Sequence, residues 1–472
     1  MIGPMSFSLA RYAHGLIAVM LVAVCASSTW AAASRPNVVF IAIDDLNDWL
    51  GCLGGNPDVK TPNLDRLAAR GMLFTNAHCQ VPVCMGSRVS AFSGKLASTT
   101  GCYEFNADFH EAPSLANDVP IPLHFKQHGY HTLGGGKLLH SGFQGRLAST
   151  FDVNLGNGRN PAPPERMNWP QKAWDYGPYP AQDGQMGDEQ LARKAAEHLA
   201  RRHERPFFLA VGFYRPHVPR HVPQRWFDLY DPAKLALPKA PPEDMDDIPE
   251  SDITRTKAVA PKHADVLAAG KWRAYVQAYL ACISFVDHCV GIVVDAAAAG
   301  PQRDNTIVVL WSDHGFHLGE KQHWAKRTLW AESTRTPMMI SGPGIRPGLR
   351  ADAPTALLDL APTLNDLCGL PAVLGHEGRS LRPLLQNPDA AWDRPVVSTW
   401  LPNNHAVVDR RWRYIHYANG SEELYDHRVD ADEFTNLAQN PEFARVKADL
   451  ARWLPAKNVP LLQIPGRATA KD

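Results

Sequence analysis

The chain has no excess of charge of either sign. Its 48 lysine and arginine residues match its 48 aspartate and glutamate residues in number, so no overall field would draw it to nucleic acid or to an anionic membrane. It also lacks internal repeats and low-complexity tracts, which argues against solenoid and fibrous architectures. These absences favour a globular enzyme or binding protein without a nucleic-acid partner.

One apolar segment near the N-terminus has the pattern of an export signal. Residues 16–26 are apolar, Arg11 precedes them, and Ala31 to Ala33 offer small residues for cleavage before Ser34. The segment is too short to span a bilayer stably, and we expect no second apolar membrane span after it. We therefore expect residues 1–33 to be a signal peptide, the mature chain to be periplasmic or secreted, and no stable membrane insertion.

The cysteine count is unusual for an exported protein. Loss of the signal peptide removes one of the eight cysteines and leaves seven, an odd number in a compartment where cysteines tend to pair. The number becomes even if Cys84 is consumed by other chemistry. Cys282 and Cys289 lie two turns apart on one predicted helix, too far along its axis to bridge each other. Buried thiols are therefore expected at those two positions.

Acidic residues follow two apolar runs that are short, rich in β-branched residues and not alternating, which is typical of buried parallel strands. The carboxyl ends of such strands meet at one edge of a doubly wound sheet, where ligands bind. Carboxylate oxygens suit Ca²⁺ or Mg²⁺. An Asx turn that simply ends a strand would explain Asp44 and Asp45 on their own. The runs and the residues after them are Asn37–Ile43 with Asp44 and Asp45, and Thr306–Trp311 with Asp313 and His314.

The remaining pattern predicts an α/β fold. A large, mixed and mostly parallel sheet between layers of helices is expected over residues 34–386, and a smaller α+β subdomain with an antiparallel sheet over 387–472. A further buried strand is expected at Phe207–Gly212 and a long amphipathic helix at Trp272–Ala298. The proline-rich stretches 160–180 and 237–261 are predicted to be long loops, which in compact domains often cover a site.

Seven segments, in their order along the chain, resemble the type I sulfatases of the alkaline phosphatase superfamily, and most closely the iduronate-2-sulfatase branch. The resemblance runs from Pro36 to about Leu437 and implies an alkaline phosphatase-like fold. Each segment alone is a weak signal, whereas all seven in this order are a strong one. They are Pro36–Asp45, Cys84–Gly94, Gly136–His140, Tyr214–His217, Ser312–Glu320, Trp324–Lys326 and Glu423–Asp426.

The resemblance implies that Cys84 is oxidised before folding to formylglycine by a formylglycine-generating enzyme. The aldehyde hydrate would attack the sulfate ester, and its second hydroxyl would then expel sulfate, which a thiolate could not do from a stable adduct. Asp44, Asp45, Asp313 and His314 correspond to the ligands of one divalent cation, for which Ca²⁺ is expected.

By the same resemblance, Arg88, Lys137 and Lys326 neutralise the hydrate and the sulfate oxygens. His140 corresponds to the base that takes a proton during sulfate release, and His217 to the group that supplies a proton or hydrogen bond to the leaving oxygen. Any one of these residues, taken alone, would more often be a solvated or structural side chain.

The sequence departs from the family at Gly86. The modifying enzyme usually reads cysteine, any residue, proline or alanine, any residue, arginine; here Cys84 and Arg88 match, but glycine holds the third place. Glycine leaves the unfolded segment freer than proline does, which raises the cost of docking it. We therefore expect conversion of Cys84 that is not necessarily complete.

The resemblance implies a hydrolase of sulfate esters that acts on sulfated carbohydrate, with a sulfate on a uronic acid or a related sugar as the first expectation. A phosphoester or phosphonate hydrolase on the same scaffold is the second interpretation. A third is a sulfated-glycan binding protein whose Cys84 is never oxidised. The fold alone does not separate these possibilities.

Overall fold

An eight-stranded sheet forms the centre of the computed structural model, which describes residues 1, 3, 35–105, 109, 112–140, 150–251 and 261–463. Residues 1–34 and 35–472 are separate units, and the signal peptide predicted at 1–33 lies almost wholly outside the described residues. The strands are β1 (Asn37–Asp44), β2 (Met72–Phe74), β3 (Ala77–His78), β4 (His131–Gly136), β5 (Val153–Asn154), β6 (Tyr176–Pro178), β7 (Phe207–Pro216), β8 (Arg220–Val222), β9 (Thr306–Ser312), β10 (His317–Leu318), β11 (Trp324–Ala325), β12 (Met338–Ser341), β13 (Leu349–Ala351), β14 (Thr355–Ala356), β15 (Val396–Thr399), β16 (His405–Val408), β17 (Trp412–His416) and β18 (Glu422–Asp426).

The strand order of the central sheet is β13-β2-β12-β9-β1-β7-β4-β5. Seven of these strands run in one direction, and β12 runs against both of its neighbours. This confirms the predicted mixed, mostly parallel sheet. Short strand pairs β3–β14, β6–β8 and β10–β11 lie outside it.

Helices cover both faces of the sheet, which explains why its strands are apolar without alternation. All eight residues of β1 are buried; Phe40 packs into one hydrophobic core, and its neighbours Val39 and Ile41 pack into a second core on the other face. The α-helices are Pro62–Ala69, Cys84–Ser93, Ala97–Thr100, Ile121–Gln127, Gly187–Leu199, Gln224–Phe227, His263–Ala268, Trp272–Ala299, Ala331–Thr334, Leu360–Leu367, Arg382–Gln386 and Ala444–Ala451.

The helix Trp272–Ala299 is the central element of the second core. By length and mean hydropathy it could cross a membrane, but 78% of its most apolar window is buried within the protein. Cys282 and Cys289 are both buried on this helix, as expected. None of the seven cysteines among the described residues forms a disulfide.

The C-terminal strands β15 to β18 form an antiparallel sheet in sequential order. One face of this sheet, with Ala406 and Ile415, packs into the same core as Phe40. The other face, with Val407 and Leu424, packs against Leu450 of the last helix. The predicted α+β character of this region is confirmed, and the boundary at residues 386 and 387 stays a prediction.

The ends of β4 and β7 approach each other through two glycines. Lys137 donates its backbone N–H to the Gly212 carbonyl at 2.7 Å, and a Cβ atom on Gly212 would lie 2.1 Å from the Lys137 carbonyl oxygen. Gly136 adopts a φ of 75°, which favours glycine. The position of Lys137 therefore depends on the absence of side chains at both glycines.

We expect Gly212→Ala to lower the free energy of unfolding by about 1–3 kcal/mol, because the added methyl group must push two buried backbone segments apart. Urea denaturation measures this change. Gly184→Ala is the matched control, since no atom lies within 4 Å of a Cβ at that position. Equal stabilities of the two variants would contradict the role assigned to Gly212.

Candidate active site

Four neighbouring strands of the central sheet deliver polar residues to one edge. The order β9-β1-β7-β4 is fully parallel, so the carboxyl ends of these strands lie side by side. The residues that end or follow these strands are Asp313 and His314 after β9, Asp44 and Asp45 at β1, His217 after β7, and Lys137 after β4.

Cys84 faces this edge from the first position of the helix Cys84–Ser93, where it is fully buried. Its Sγ lies 2.9 Å from Nζ of Lys326, 3.2 Å from Nε2 of His314 and 4.0 Å from Oδ1 of Asp45. Burial and the Asp44 carboxylate raise the pKa of the Cys84 thiol, but Lys326 and Lys137 outweigh them, so the net pKa is lowered. The surroundings of this sulfur therefore favour a negative charge.

Three buried cations balance the three carboxylates. Arg88 donates from Nε to Oδ2 of Asp313 at 2.9 Å, and its Nη2 lies 3.6 Å from Oδ1 of Asp44. Lys137 pairs with Asp44. Lys326 donates to Oδ1 of Asp45 at 2.7 Å. Each carboxylate of the cluster thus has a lysine or arginine cation as its partner within the protein interior.

This pairing determines the ionisation of the two aspartates. Burial, the largest influence, raises the pKa of Asp44, but Lys137, His217 and Arg88 together hold it well below its usual range. Burial likewise raises the pKa of Asp45, and His217 and Lys326 reverse this, so that its pKa is about 2. Both carboxylates are ionised at neutral pH.

Asp45 has a left-handed backbone conformation, with a φ of 61°, which is uncommon for a residue other than glycine. Two buried contacts hold it there: Tyr279 donates its hydroxyl to the Asp45 carbonyl at 2.7 Å, and Asp45 donates its N–H to Oδ1 of Asp313 at 3.1 Å. Tyr279 was not predicted as a site residue. Its only signal in the sequence was an aromatic residue in a long apolar helix.

His314 presents Nε2 to the cluster. Its Nδ1 donates to the Gly315 carbonyl at 2.8 Å, and this contact orients the ring. Nε2 lies 3.3 Å from Oδ1 of Asp45. Burial lowers the pKa of His314, whereas Asp313 and Cys84 raise it, to about 9 overall. A cation bound at Nε2 would therefore have to displace a proton.

These side chains fit a hard divalent cation. Donor atoms of Asp44, Cys84, Asp313 and His314 all lie within 4.8 Å of one another. Oδ1 of Asp44 and Oδ2 of Asp45 are buried and accept no hydrogen bond in the described part of the chain. Such oxygen atoms retain the capacity to bind a cation. The metal set predicted from the sequence is thus brought together.

The two predicted catalytic histidines lie in different surroundings. His217 is 23% exposed and places Nε2 3.9 Å from Oδ2 of Asp45, while its Nδ1 donates to the Val218 carbonyl at 2.5 Å. The ring of His140 packs on Phe105, with ring centroids 4.5 Å apart, and the guanidinium of Arg327 lies over the same Phe105 ring. His217 therefore lies beside the charged cluster, whereas His140 packs on an aromatic ring that Arg327, the residue after Lys326, also contacts.

Gly86 lies in a tight part of the site. A Cβ atom there would stand 2.7 Å from the Cys102 carbonyl oxygen and 2.7 Å from Cγ1 of Val81. Packing of the folded protein therefore favours glycine at the position where the modification motif has proline or alanine.

Comparisons of the sequence with known proteins give a consistent result. The sulfatase family model matches residues 36–370, and a model of the C-terminal region of N-sulphoglucosamine sulphohydrolase matches residues 319–459. A sulfatase of Formosa agariphila is 38% identical over 444 residues, which cover 90% of this chain and 87% of that protein. Human iduronate 2-sulfatase is 29% identical over 384 residues, 71% of this chain and 69% of that protein.

Solved structures share the fold. A protein in complex with its substrate D-glucosamine-2-N,6-O-disulfate superposes with a TM-score of 0.71 at 21% identity and covers 89% of this chain and 97% of its own. The phosphonate monoester hydrolase of Agrobacterium radiobacter has a TM-score of 0.69 at 21% identity, with coverage of 89% and 94%. One fold carries more than one chemistry in these neighbours.

Proposed function

The chain belongs to the sulfatase family and is a sulfuric ester hydrolase, and we propose that it removes sulfate from carbohydrates with a formylglycine made from Cys84 and one bound Ca²⁺. A sulfate on a uronic acid or a related sugar is the proposed substrate. One observation carries this proposal: the Cys84 sulfur lies among buried cations and carboxylates at the ends of four parallel strands. That arrangement suits a tetrahedral anion held against a nucleophile.

The cations of the site would bind and orient the sulfate group. Nη2 of Arg88 is buried and donates no hydrogen bond among the described residues, so it is available to a sulfate oxygen. The ammonium group of Lys326 lies between Cys84 and Asp45, where it can stabilise negative charge that develops on residue 84. Lys137 holds Asp44 ionised and supplies the third positive charge.

Asp44, Asp45, Asp313 and His314 would hold the Ca²⁺ ion. Bound there, the ion would supply Lewis-acid stabilisation of negative charge on the nucleophile and on the sulfate oxygens. The protein's part is to hold its ligands in place, which Tyr279 does for Asp45 and the Gly315 carbonyl does for His314.

A formylglycine at residue 84 would supply a hydrated aldehyde with two hydroxyl groups, of which one attacks and the other allows release of sulfate. This proposal includes a formylglycine-generating enzyme as a partner during biosynthesis. Because Cys84 is fully buried, the conversion has to precede folding. Export by a signal peptide at residues 1–33 belongs to the same proposal.

The two histidines would move protons. His217 is partly exposed beside Asp45, a position from which it would donate to the oxygen that leaves with the sugar. His140 is proposed as the base for release of sulfate from residue 84.

The alternatives are less well supported. A phosphoester or phosphonate hydrolase shares the fold, but the family model and the sequence relatives are those of sulfatases. The family model and these relatives are likewise those of enzymes, which favours turnover over binding alone.

We expect Asp45→Asn and Asp313→Asn each to lower sulfatase turnover by at least about a hundredfold, because each removes a charge that holds the cation and organises the site. Turnover of an aryl sulfate and the circular dichroism spectrum are the measurements. Asp295→Asn, at a surface ion pair with Arg66, is the control. Normal activity in either variant, or in protein shown to be metal-free after chelation, would contradict the metal assignment.

We expect His217→Ala to reduce hydrolysis of alkyl and sugar sulfates far more than that of aryl sulfates. Phenolate leaving groups need little protonation, whereas sugar alkoxides depend on it. Steady-state kinetics on a sugar sulfate and an aryl sulfate with each protein give the comparison. Equal losses on both substrates would identify His217 as a structural residue.

We expect Gly86→Ala and Gly86→Pro to raise the aldehyde fraction at residue 84 when the modifying enzyme is limiting, since both restore its motif. Both should also lower the free energy of unfolding, by about 1–3 kcal/mol, because the added atoms meet Val81 and the Cys102 carbonyl. Mass spectrometry of the tryptic peptide 71–88 and urea denaturation measure the two effects. Complete conversion of the wild type under limitation, or lower conversion of both variants, would show that Gly86 does not weaken recognition.

A further inference from the structure

A cleft of about 560 Å³ opens beside residues 214–221, called here the His217 segment. The function proposed above does not use this cleft. Its walls are Pro219 and His221 on one side and the proline-rich loop 162–175 on the other. Pro219 follows His217 by two residues, so their Cα atoms are at most about 7.6 Å apart. The cleft is therefore next to the group proposed to face the leaving sugar.

The loop and the His217 segment are joined at one end through Asp188. Its carboxylate accepts hydrogen bonds from the backbone N–H groups of Tyr214 and Arg215 at 2.8 and 3.0 Å, and from the Asn160 side chain at 2.7 Å. Asp188 is fully buried. The start of the loop thus keeps a fixed position relative to the end of β7.

They are joined at the other end as well. Arg220 donates its N–H to the Asp175 carbonyl at 2.9 Å, and His221 donates from Nδ1 to the Gly177 carbonyl at 3.1 Å. Arg215 bonds the carbonyls of His217 and His221, each at 3.0 Å. A substrate group bound in the cleft would therefore lie at a fixed distance from His217.

The loop is also ordered from within. The Asp175 carboxylate accepts the backbone N–H groups of Met167, Asn168 and Trp169 at 2.8, 2.8 and 3.0 Å. These bonds, together with the His221 imidazole whose Nε2 lies 3.6 Å from Oδ2, engage both of its oxygens, so Asp175 orders the loop beneath the cleft. The cleft is formed before any ligand arrives, which lowers the cost of binding.

Two cations of the loop line the cleft and are available to a ligand. The ammonium group of Lys172 has no ion-pair or hydrogen-bond partner in the described part of the chain. The guanidinium of Arg166 donates from one Nη to the Pro170 carbonyl, which orients it and leaves further N–H donors. Glu165 is the one other acidic residue in the lining.

We propose that this cleft is the subsite for a second acidic group of the sulfated carbohydrate, a carboxylate or a second sulfate, and that Arg166 and Lys172 bind it. This inference rests on the proposed function. It specifies that function further: the preferred substrate carries at least one anionic group besides the sulfate that is removed. The negative charge of Glu165 opposes binding of that group. Only a substrate whose anion contacts both Arg166 and Lys172 therefore binds well.

The test compares matched substrates on the full-length, modified enzyme. The first is a disaccharide with one sulfate and a free uronic acid, and the second is the same disaccharide with its carboxyl group reduced to the alcohol. A third carries a second sulfate in place of the carboxylate, which distinguishes the two sources of the anion. An aryl sulfate reports the chemistry without the subsite.

Arg166→Gln and Lys172→Gln are each expected to lower kcat/KM about tenfold on the doubly anionic substrates, since each removes a charge-assisted hydrogen bond. Both should leave the reduced disaccharide and the aryl sulfate within about twofold of wild type, as expected for loss of a contact that only the second anion makes. Glu165→Gln should raise kcat/KM on the doubly anionic substrates. Arg303→Gln should leave kcat/KM unchanged on every substrate. Arg303 precedes β9, so it lies at the opposite end of that strand from Asp313, about 20 Å away by the rise per residue.

Equal effects of Arg166→Gln and Lys172→Gln on all substrates, or no effect on any, would overturn the subsite. If the wild type turns over the aryl sulfate and does not prefer a second anion, the subsite is wrong and the proposed function stands. If the wild type turns over no sulfate ester, the proposed function fails. In that case calorimetry tests the subsite by itself, by measuring binding of the desulfated uronic acid disaccharide to the wild type and to the variant with both Arg166→Gln and Lys172→Gln. Weaker binding by the variant supports the subsite, and equal binding or no binding overturns it.

Discussion

The mutual neutralisation of six buried charges is the interaction on which the rest of this structure depends. Asp44, Asp45 and Asp313 face Arg88, Lys137 and Lys326 with almost no access to water. Any one of these charges, left alone in the interior, would cost several kcal/mol. The cluster is therefore stable only as a complete set, and this requires three strand ends, one helix and one loop to meet at a single place.

The strand ends were accessible to sequence reasoning. A buried parallel strand is recognisable from a short apolar run, and the polar residues after it must lie at the sheet edge, so Asp44, Asp45, Asp313 and His314 could be predicted to meet. The loop that carries Lys326 could not be derived in this way. Lys321, Gln322, Ala325 and Arg327 all have positive φ, a conformation that no local propensity favours for these residue types, so only the family resemblance pointed to Lys326. Tyr279 escaped notice because an apolar helix needs no site to explain its aromatic residues.

The C-terminal sheet supports the segment that carries Cys84 as well as extending the fold. Thr399 donates its N–H to the Gln80 carbonyl at 2.8 Å, and Ser398 donates its hydroxyl to the Cys79 carbonyl at 2.5 Å. These bonds fix the segment that leads into Cys84. Side chains of the sheet share a hydrophobic core with the helix that Cys84 begins. Although the sequence pattern changes near residue 387, the region beyond it contributes directly to the placement of Cys84.

Under the proposed function, folding would set a time limit on the conversion of Cys84, because its complete burial closes the thiol to a modifying enzyme. Conversion and folding would then compete for the same newly made chain, so the yield of active protein would depend on the ratio of their two rates. Molecules that fold first would keep their thiol behind an intact surface and would resemble active molecules in stability and shape. A preparation could then be homogeneous by every structural criterion and still contain two populations, of which only one turns over substrate.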